Sequence, residues 1–203
     1  MSPRWQQTAT LAVLALLGAG LLALLQHLAA PTIEQQRQAA AERTLFDLLP
    51  AGSYDNHPLA QPIALEAGGL LGNPGAEPGY LATLNGQPSA VLLPVSAQGY
   101  EGAIHLLVAI STNGRLLGSK VLQQRETPGL GDLIERQRSP WLQGFTNKSL
   151  GDDSASWSLR ADGGQFDQIA GATVTSRAVK DALQRALRFF DAQRVRLLGT
   201  DQP

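Results

Sequence analysis

The sequence predicts an α+β fold: a single N-terminal transmembrane helix, then an extracytoplasmic domain whose antiparallel sheet is flanked by helices. Three observations carry that prediction. No Asp, Glu, Lys or Arg occurs between Arg4 and Glu34. Asn85-Gly86 and Asn113-Gly114 each sit between apolar runs, the strongest short-range hairpin signal. From Ser176 to Leu198, Val179, Leu183, Leu187 and Phe190 recur near helical spacing, with Lys180, Asp181, Arg185 and Arg188 between them.

The charge-free run has a core, Ala9 to Leu25, of Ala, Leu, Val and Gly with a single Thr. With its flanks it makes a helix of roughly 20 residues, about 30 Å at 1.5 Å per residue, which matches the hydrocarbon thickness of a bilayer. Trp5 stands where an interfacial aromatic belongs. A cleaved signal peptide is the competing reading. The run is longer than a usual h-region, and His27-Leu28-Ala29-Ala30-Pro31 fits an A-x-A cleavage site poorly. Arg4 and the α-amino group precede the run, and the next cation is Arg37. The positive-inside rule therefore places the short N-terminus in the cytoplasm and the rest outside. Residues 1–30 are expected to form the cytoplasmic tip and transmembrane anchor.

Pro31 ends the apolar segment, and Thr32 to Leu49 reads as a helix stopped by Pro50-Ala51-Gly52. Residues 31–50 are thus a connecting helix and 51–203 the outer domain. Ser53 to Pro78 is rich in Gly, Pro and Asn and reads as loop with one short strand near Ile63. Strands follow at Tyr80 to Thr83 and Ala90 to Pro94 around the first Asn-Gly. Ala103 to Ile110 and Leu116 to Gln124 flank the second. Two successive hairpins between helices favour an antiparallel α+β arrangement.

Composition removes several chemistries. Lys and Arg number 16 against 17 Asp and Glu, and aromatics make up 5%. Neither value suits a nucleic-acid surface. Cysteine is absent, which eliminates disulfides, thiol catalysis, cysteine-ligated clusters and c-type haem attachment. His27, His57 and His105 lie far apart and make no ligand spacing. Redox work is left to an organic cofactor or a carboxylate-bound metal.

Two segments carry chemistry. In Glu126-Thr127-Pro128-Gly129-Leu130-Gly131 the proline fixes its own φ, while Gly129 and Gly131 permit positive φ and close backbone approach. Such a loop can present amides and the Leu130 side chain to a flat ring; it can equally be an ordinary turn entering a helix near Asp132. The second segment, Asp167 to Ser176, runs into the C-terminal helix through Gly171-Ala172-Thr173-Val174-Thr175. Small residues and hydroxyls at a helix N-terminus suit a phosphate. Thr175 or Ser176 also suffices as a plain N-cap.

Together, in this order, the segments resemble the FMN-binding domain family. That domain is shared by the G subunit of the Rnf (Rsx) electron-transport complex and the C subunit of the sodium-translocating NADH:quinone reductase. The resemblance extends to the N-terminal anchor, to Gly99-Tyr100-Glu101-Gly102 before the apolar strand, and to the closing helix. The run Gln165 to Gly171 and the chain length are more similar to the Rnf protein. The resemblance implies an FMN joined by a flavin transferase to the Thr173 hydroxyl through a phosphoester. Gly171 and Ala172 then leave that enzyme access, and Asp167 matches the motif's leading acid. Thr175, Glu126, Thr127, Gly129 and Leu130 complete the expected cofactor set, with Glu126 and Thr127 near the ring and Leu130 against a face. Ala170 departs from the Ser or Thr usual there, and Arg125 stands where a His is expected; Arg125 reads as solvated. The implied place is the bacterial inner membrane, single-pass, with the C-terminal domain periplasmic beside other membrane subunits. The implied role is electron transfer within an ion-translocating complex, with no catalytic acid or base and no independent substrate turnover.

Two other readings compete. One is an anchored extracytoplasmic binding or assembly module without cofactor. The other is a carboxylate-metal hydrolase using Asp152, Asp153, Asp162 and Asp167, which fall in Gly- and Ser-rich loop without ligand periodicity.

Overall fold

The computed structural model describes residues 46–151 and 157–199. The expected anchor at 1–30 and residues 31–45 of the connecting helix lie outside the described residues, as do Asp152 and Asp153. Among the described residues no helix is long and apolar enough to cross a membrane. Leu45–Pro203 forms one compact unit.

The strands are β1 (Pro62–Ala64), β2 (Pro78–Leu84), β3 (Gln87–Gln98), β4 (Ala103–Ser111) and β5 (Leu116–Gln123). They form one five-stranded antiparallel sheet in the order β1-β2-β3-β4-β5. Both Asn-Gly pairs turn hairpins. Asn85 and Gly86 sit at φ 51° and 74°, the left-handed pair a tight two-residue hairpin needs.

A third turn, Gly99 to Gly102, closes on the Gly99 N–H to Gly102 carbonyl bond of 2.8 Å. β3 therefore runs four residues past Pro94, where the sequence reading stopped it. Proline ordinarily marks a strand's limit because it donates no ladder bond. Here the pairing with β2 reaches only to Leu92, so at Pro94 no bond to β2 is lost.

β3 and β4 are buried on both faces. Val91, Leu93 and Val95, with Ile104, Leu106 and Val108, belong to the main core; Leu92, Leu107 and Ala109 belong to a smaller cluster. Double burial explains why Ala103 to Ile110 reads as a continuous apolar run rather than an alternation.

The main core is closed by α1 (Thr173–Leu198), which contributes Val179, Leu183, Leu187 and Phe190. Among the described residues it is the single α-helix; the helix expected before the sheet falls almost entirely on residues outside the described ones. The second face is covered by Leu48 and Leu49, with Tyr54 and Leu59 packed alongside. Phe46–Leu48 is one 3-10 turn. Between β5 and α1, the aromatic cluster Phe145, Trp157 and Phe166, with ring centroids 4.4 to 6.3 Å apart, fills one end of the core.

Candidate functional site

The chain leaving β5 and the chain entering α1 meet, and both expected segments line one cavity of about 450 Å³. Its walls are Tyr100, Glu126, Thr127, Leu130, Gly131 and the run Gly171 to Thr175.

The loop from Glu126 to Gly131 is built as a turn. The Leu130 N–H donates to the Thr127 carbonyl (3.1 Å), and the Gly129 N–H donates to Asp132 Oδ1 (2.7 Å). Gly129 has φ +78°, a conformation that favours glycine. Gly131–Ile134 is a single 3-10 turn, so the helix expected near Asp132 is one turn long. The turn leaves Leu130 42% exposed at the cavity wall.

On the other wall, Gly171 (φ +78°) and the N-cap Ala172 lead into α1, which starts at Thr173, three residues before the predicted Ser176. No side chain caps it. The expectation that Thr175 or Ser176 is the cap is therefore wrong: both lie inside the first turns, where their hydroxyls find other partners. Ser176 Oγ donates to the Ala172 carbonyl (2.9 Å) and accepts from the Ile169 N–H (3.0 Å). Thr175 Oγ1 donates to Glu126 Oε2. The first intrahelical bond is Ser176 N–H to Ala172 carbonyl, 2.9 Å. The amides of Thr173, Val174 and Thr175 thus precede it, at the positive end of the helix dipole.

Burial separates the three hydroxyls. Thr175 is 1% exposed and Ser176 0%; Thr173 is half-buried and lines the cavity. Glu126, expected beside a ligand, is 5% exposed. It accepts from the Glu101 N–H (3.1 Å), the Tyr100 N–H (3.2 Å) and the Thr175 hydroxyl. Thr127 Oγ1 donates to Glu101 Oε1.

Gly129 and Asp167 do not line the cavity. Asp167 is exposed and pairs with Arg160 at 3.1 Å. Arg125 and Ala170 are exposed. Asp162, one of the carboxylates in the metal reading, is bonded by Arg177 at 2.9 Å, which holds its carboxyl below the usual carboxylate range. Sequence reasoning left Tyr100, Gly131 and Val174 out of the site. Tyr100 sits 72% exposed on the β3–β4 turn; its signal was the Gly-Tyr-Glu-Gly stretch, which fixes a turn but not what the turn faces. Val174 is half-exposed on the helix start.

An FMN fits these residues. Leu130, Tyr100 and Val174 offer apolar surface to a ring system, the helix N-terminus offers amides to a phosphate, and Thr173 offers a hydroxyl in the same cavity.

Residues 99–188 match the FMN-binding domain family, and residues 4–48 match the RnfG N-terminal region. The crystal structure of Shewanella oneidensis NqrC has a similar fold, with a TM-score of 0.50 and 23% identity, over 66% of this chain and 68% of that one. Fold and site together define a protein built on an FMN-binding domain.

The G subunit of the ion-translocating oxidoreductase complex of Pseudomonas aeruginosa is 52% identical over 95% of this chain and 91% of its own length. Its counterpart in Vibrio vulnificus is 40% identical over 94% and 90%. The chain belongs to the family of G subunits of the ion-translocating (Rnf-type) oxidoreductase complex.

Proposed function

We propose that the chain is a membrane-anchored flavoprotein subunit of a respiratory electron-transport complex, carrying one FMN in phosphoester linkage to Thr173. When bound, FMN supplies one- and two-electron exchange, and the protein supplies position and electrostatics. The convergence of the Glu126–Gly131 loop and the Gly171–Thr175 run on one cavity, with Thr173 the accessible one of the three hydroxyls at the start of α1, carries this reading.

The residues divide the work. The first-turn amides and the α1 dipole hold the phosphate. Gly171 and Ala172 keep the Thr173 hydroxyl approachable by a flavin transferase. Leu130 and Thr127 border the ring, and Gly129 sets the turn that presents them. Thr175 and Glu126 support the wall from behind. Asp167, exposed outside the cavity, acts during attachment rather than in holding the flavin. The charge-free N-terminal run anchors the chain in the bacterial inner membrane beside the other membrane subunits, with the domain on the periplasmic side.

Co-expression with a flavin transferase, followed by denaturing gel fluorescence and intact mass, tests this. The unaltered chain is expected to give a fluorescent band and the mass increment of FMN; Thr173→Ala is expected to give neither while remaining folded. A fluorescent band surviving in Thr173→Ala would end the assignment. An unaltered chain without the increment would favour a binding or assembly module that carries no cofactor.

A further inference from the structure

The carboxylate of Glu126 is enclosed. Oε1 accepts the Glu101 N–H and Oε2 accepts the Tyr100 N–H and the Thr175 hydroxyl. Two glycines make room for it: a Cβ on Gly99 would stand 2.4 Å from Oε1, and one on Gly131 would stand 2.6 Å from the Glu126 Cβ. Three segments distant in sequence therefore close around a single side chain: the β3–β4 turn, the Glu126–Gly131 loop and the start of α1. Each contributes wall to the cavity. With three donors already held, this carboxylate is poorly placed to be a ligand's hydrogen-bond partner. Its charge nevertheless stands one hydroxyl away from the helix N-terminus that offers amides to an anion.

We infer that Glu126 is a positioning residue. It holds Tyr100 and Thr175 in register across the cavity, and its charge keeps a flavin seated there at a lower reduction potential. The second half rests on the proposed attachment of FMN to Thr173; the first does not. Reduction adds negative charge to the flavin, and a nearby buried carboxylate opposes that, more strongly than an exposed one because solvent screens it less. The same enclosure occupies the Thr175 hydroxyl and leaves Thr173 to the transferase.

Two variants separate geometry from charge. Glu126→Gln is close to isosteric, but in either orientation its NH2 group faces at least one main-chain N–H of Tyr100 or Glu101. Glu126→Asp keeps the charge and is one methylene too short to reach all three donors. Amide hydrogen exchange on the chain without flavin is the first readout. Protection at Tyr100, Glu101 or both, whichever loses its acceptor, is expected to fall on the order of ten- to a hundredfold in each variant, the equivalent of a lost hydrogen bond to a charged group. The midpoint potential of the flavinylated protein is the second. It is expected to rise in Glu126→Gln and to stay nearer the original in Glu126→Asp.

Unchanged exchange at Tyr100 and Glu101 in Glu126→Gln would overturn the positioning role. A potential that does not move in that variant would overturn the charge effect. Should Glu126→Gln not fold, Thr175→Val removes only the hydroxyl donor. It is expected to speed exchange at the start of α1 while Tyr100 and Glu101 stay protected, and no change at α1 would count against the clamp. An unaltered chain that acquires no FMN would sink the Thr173 reading, whereas exchange on the unmodified chain bears on Glu126 alone.

Discussion

At the scale of single residues, the site is governed by which groups are already engaged. Thr173, Thr175 and Ser176 carry the same chemistry, and their partners sort them: a carboxylate for Thr175, a carbonyl for Ser176, the cavity for Thr173. Gly171 is held by conformation as well as by space. Its φ is +78°, and a Cβ there would lie 3.0 Å from Leu130 Cδ2. Gly171→Ala is therefore expected to cost roughly 1–2 kcal/mol, the left-handed penalty for an L-residue, seen as a lower urea midpoint at unchanged m. Leu130 should shift with it, so the flavin spectrum of the loaded variant should change too. Nearby, the hydrogen bond from Arg177 depresses the carboxyl of Asp162. A depressed folded-state pKa stabilises above the unfolded value, and the contribution is lost as pH falls through the folded one. Urea titrations of the parent chain and Arg177→Ala are expected to differ slightly at neutral pH and converge in acid. Because the pair is solvent-exposed, added salt should shrink the difference.

At the scale of elements, α1 serves the core and the site at once. Its apolar stripe is buried against β3 and β4, and its first turn is a wall of the cavity. Leu183, fully buried in that stripe, is expected to cost about 2–5 kcal/mol on replacement by alanine, the usual range for a large-to-small change in a core. Thermal unfolding of Leu183→Ala would measure it, and in a cooperative domain flavin attachment should fail at the temperature where the fold does. The sheet supplies the other wall through turns rather than strands. The Gly99–Gly102 turn and the chain leaving β5 lie at the same end because β3, β4 and β5 are consecutive antiparallel neighbours.

At the scale of the molecule, the unit Leu45–Pro203 contains both apolar clusters and all the cavity residues. Residues 45–203 expressed alone are expected to unfold in one cooperative transition. They should stay in the soluble fraction, whereas the full chain sediments with membranes and is released by detergent. A soluble full chain would remove the anchor assigned to the charge-free run.

Much of this was legible in the sequence, because the relevant signals are local. Two Asn-Gly pairs announce hairpins since Asn and Gly favour tight turns and tolerate backbone angles that most residues avoid. Val179, Leu183, Leu187 and Phe190 announce a helix since its period is a property of the chain itself. Glu126-Thr127-Pro128-Gly129-Leu130-Gly131 and Gly171-Ala172-Thr173 could be named as two pieces of one site through their likeness to a known domain. What those pieces do to one another was not legible. A hydroxyl beside a helix start reads as a cap until a carboxylate 49 positions earlier is seen to receive it. Pro94 reads as a strand's end until the pairing shows where β2 stops. Tyr100 reads as part of a turn until the turn is seen to face the cavity. Backbone angles and periodicity are written residue by residue, whereas burial and hydrogen-bond partners exist only between segments, and folding alone brings those together.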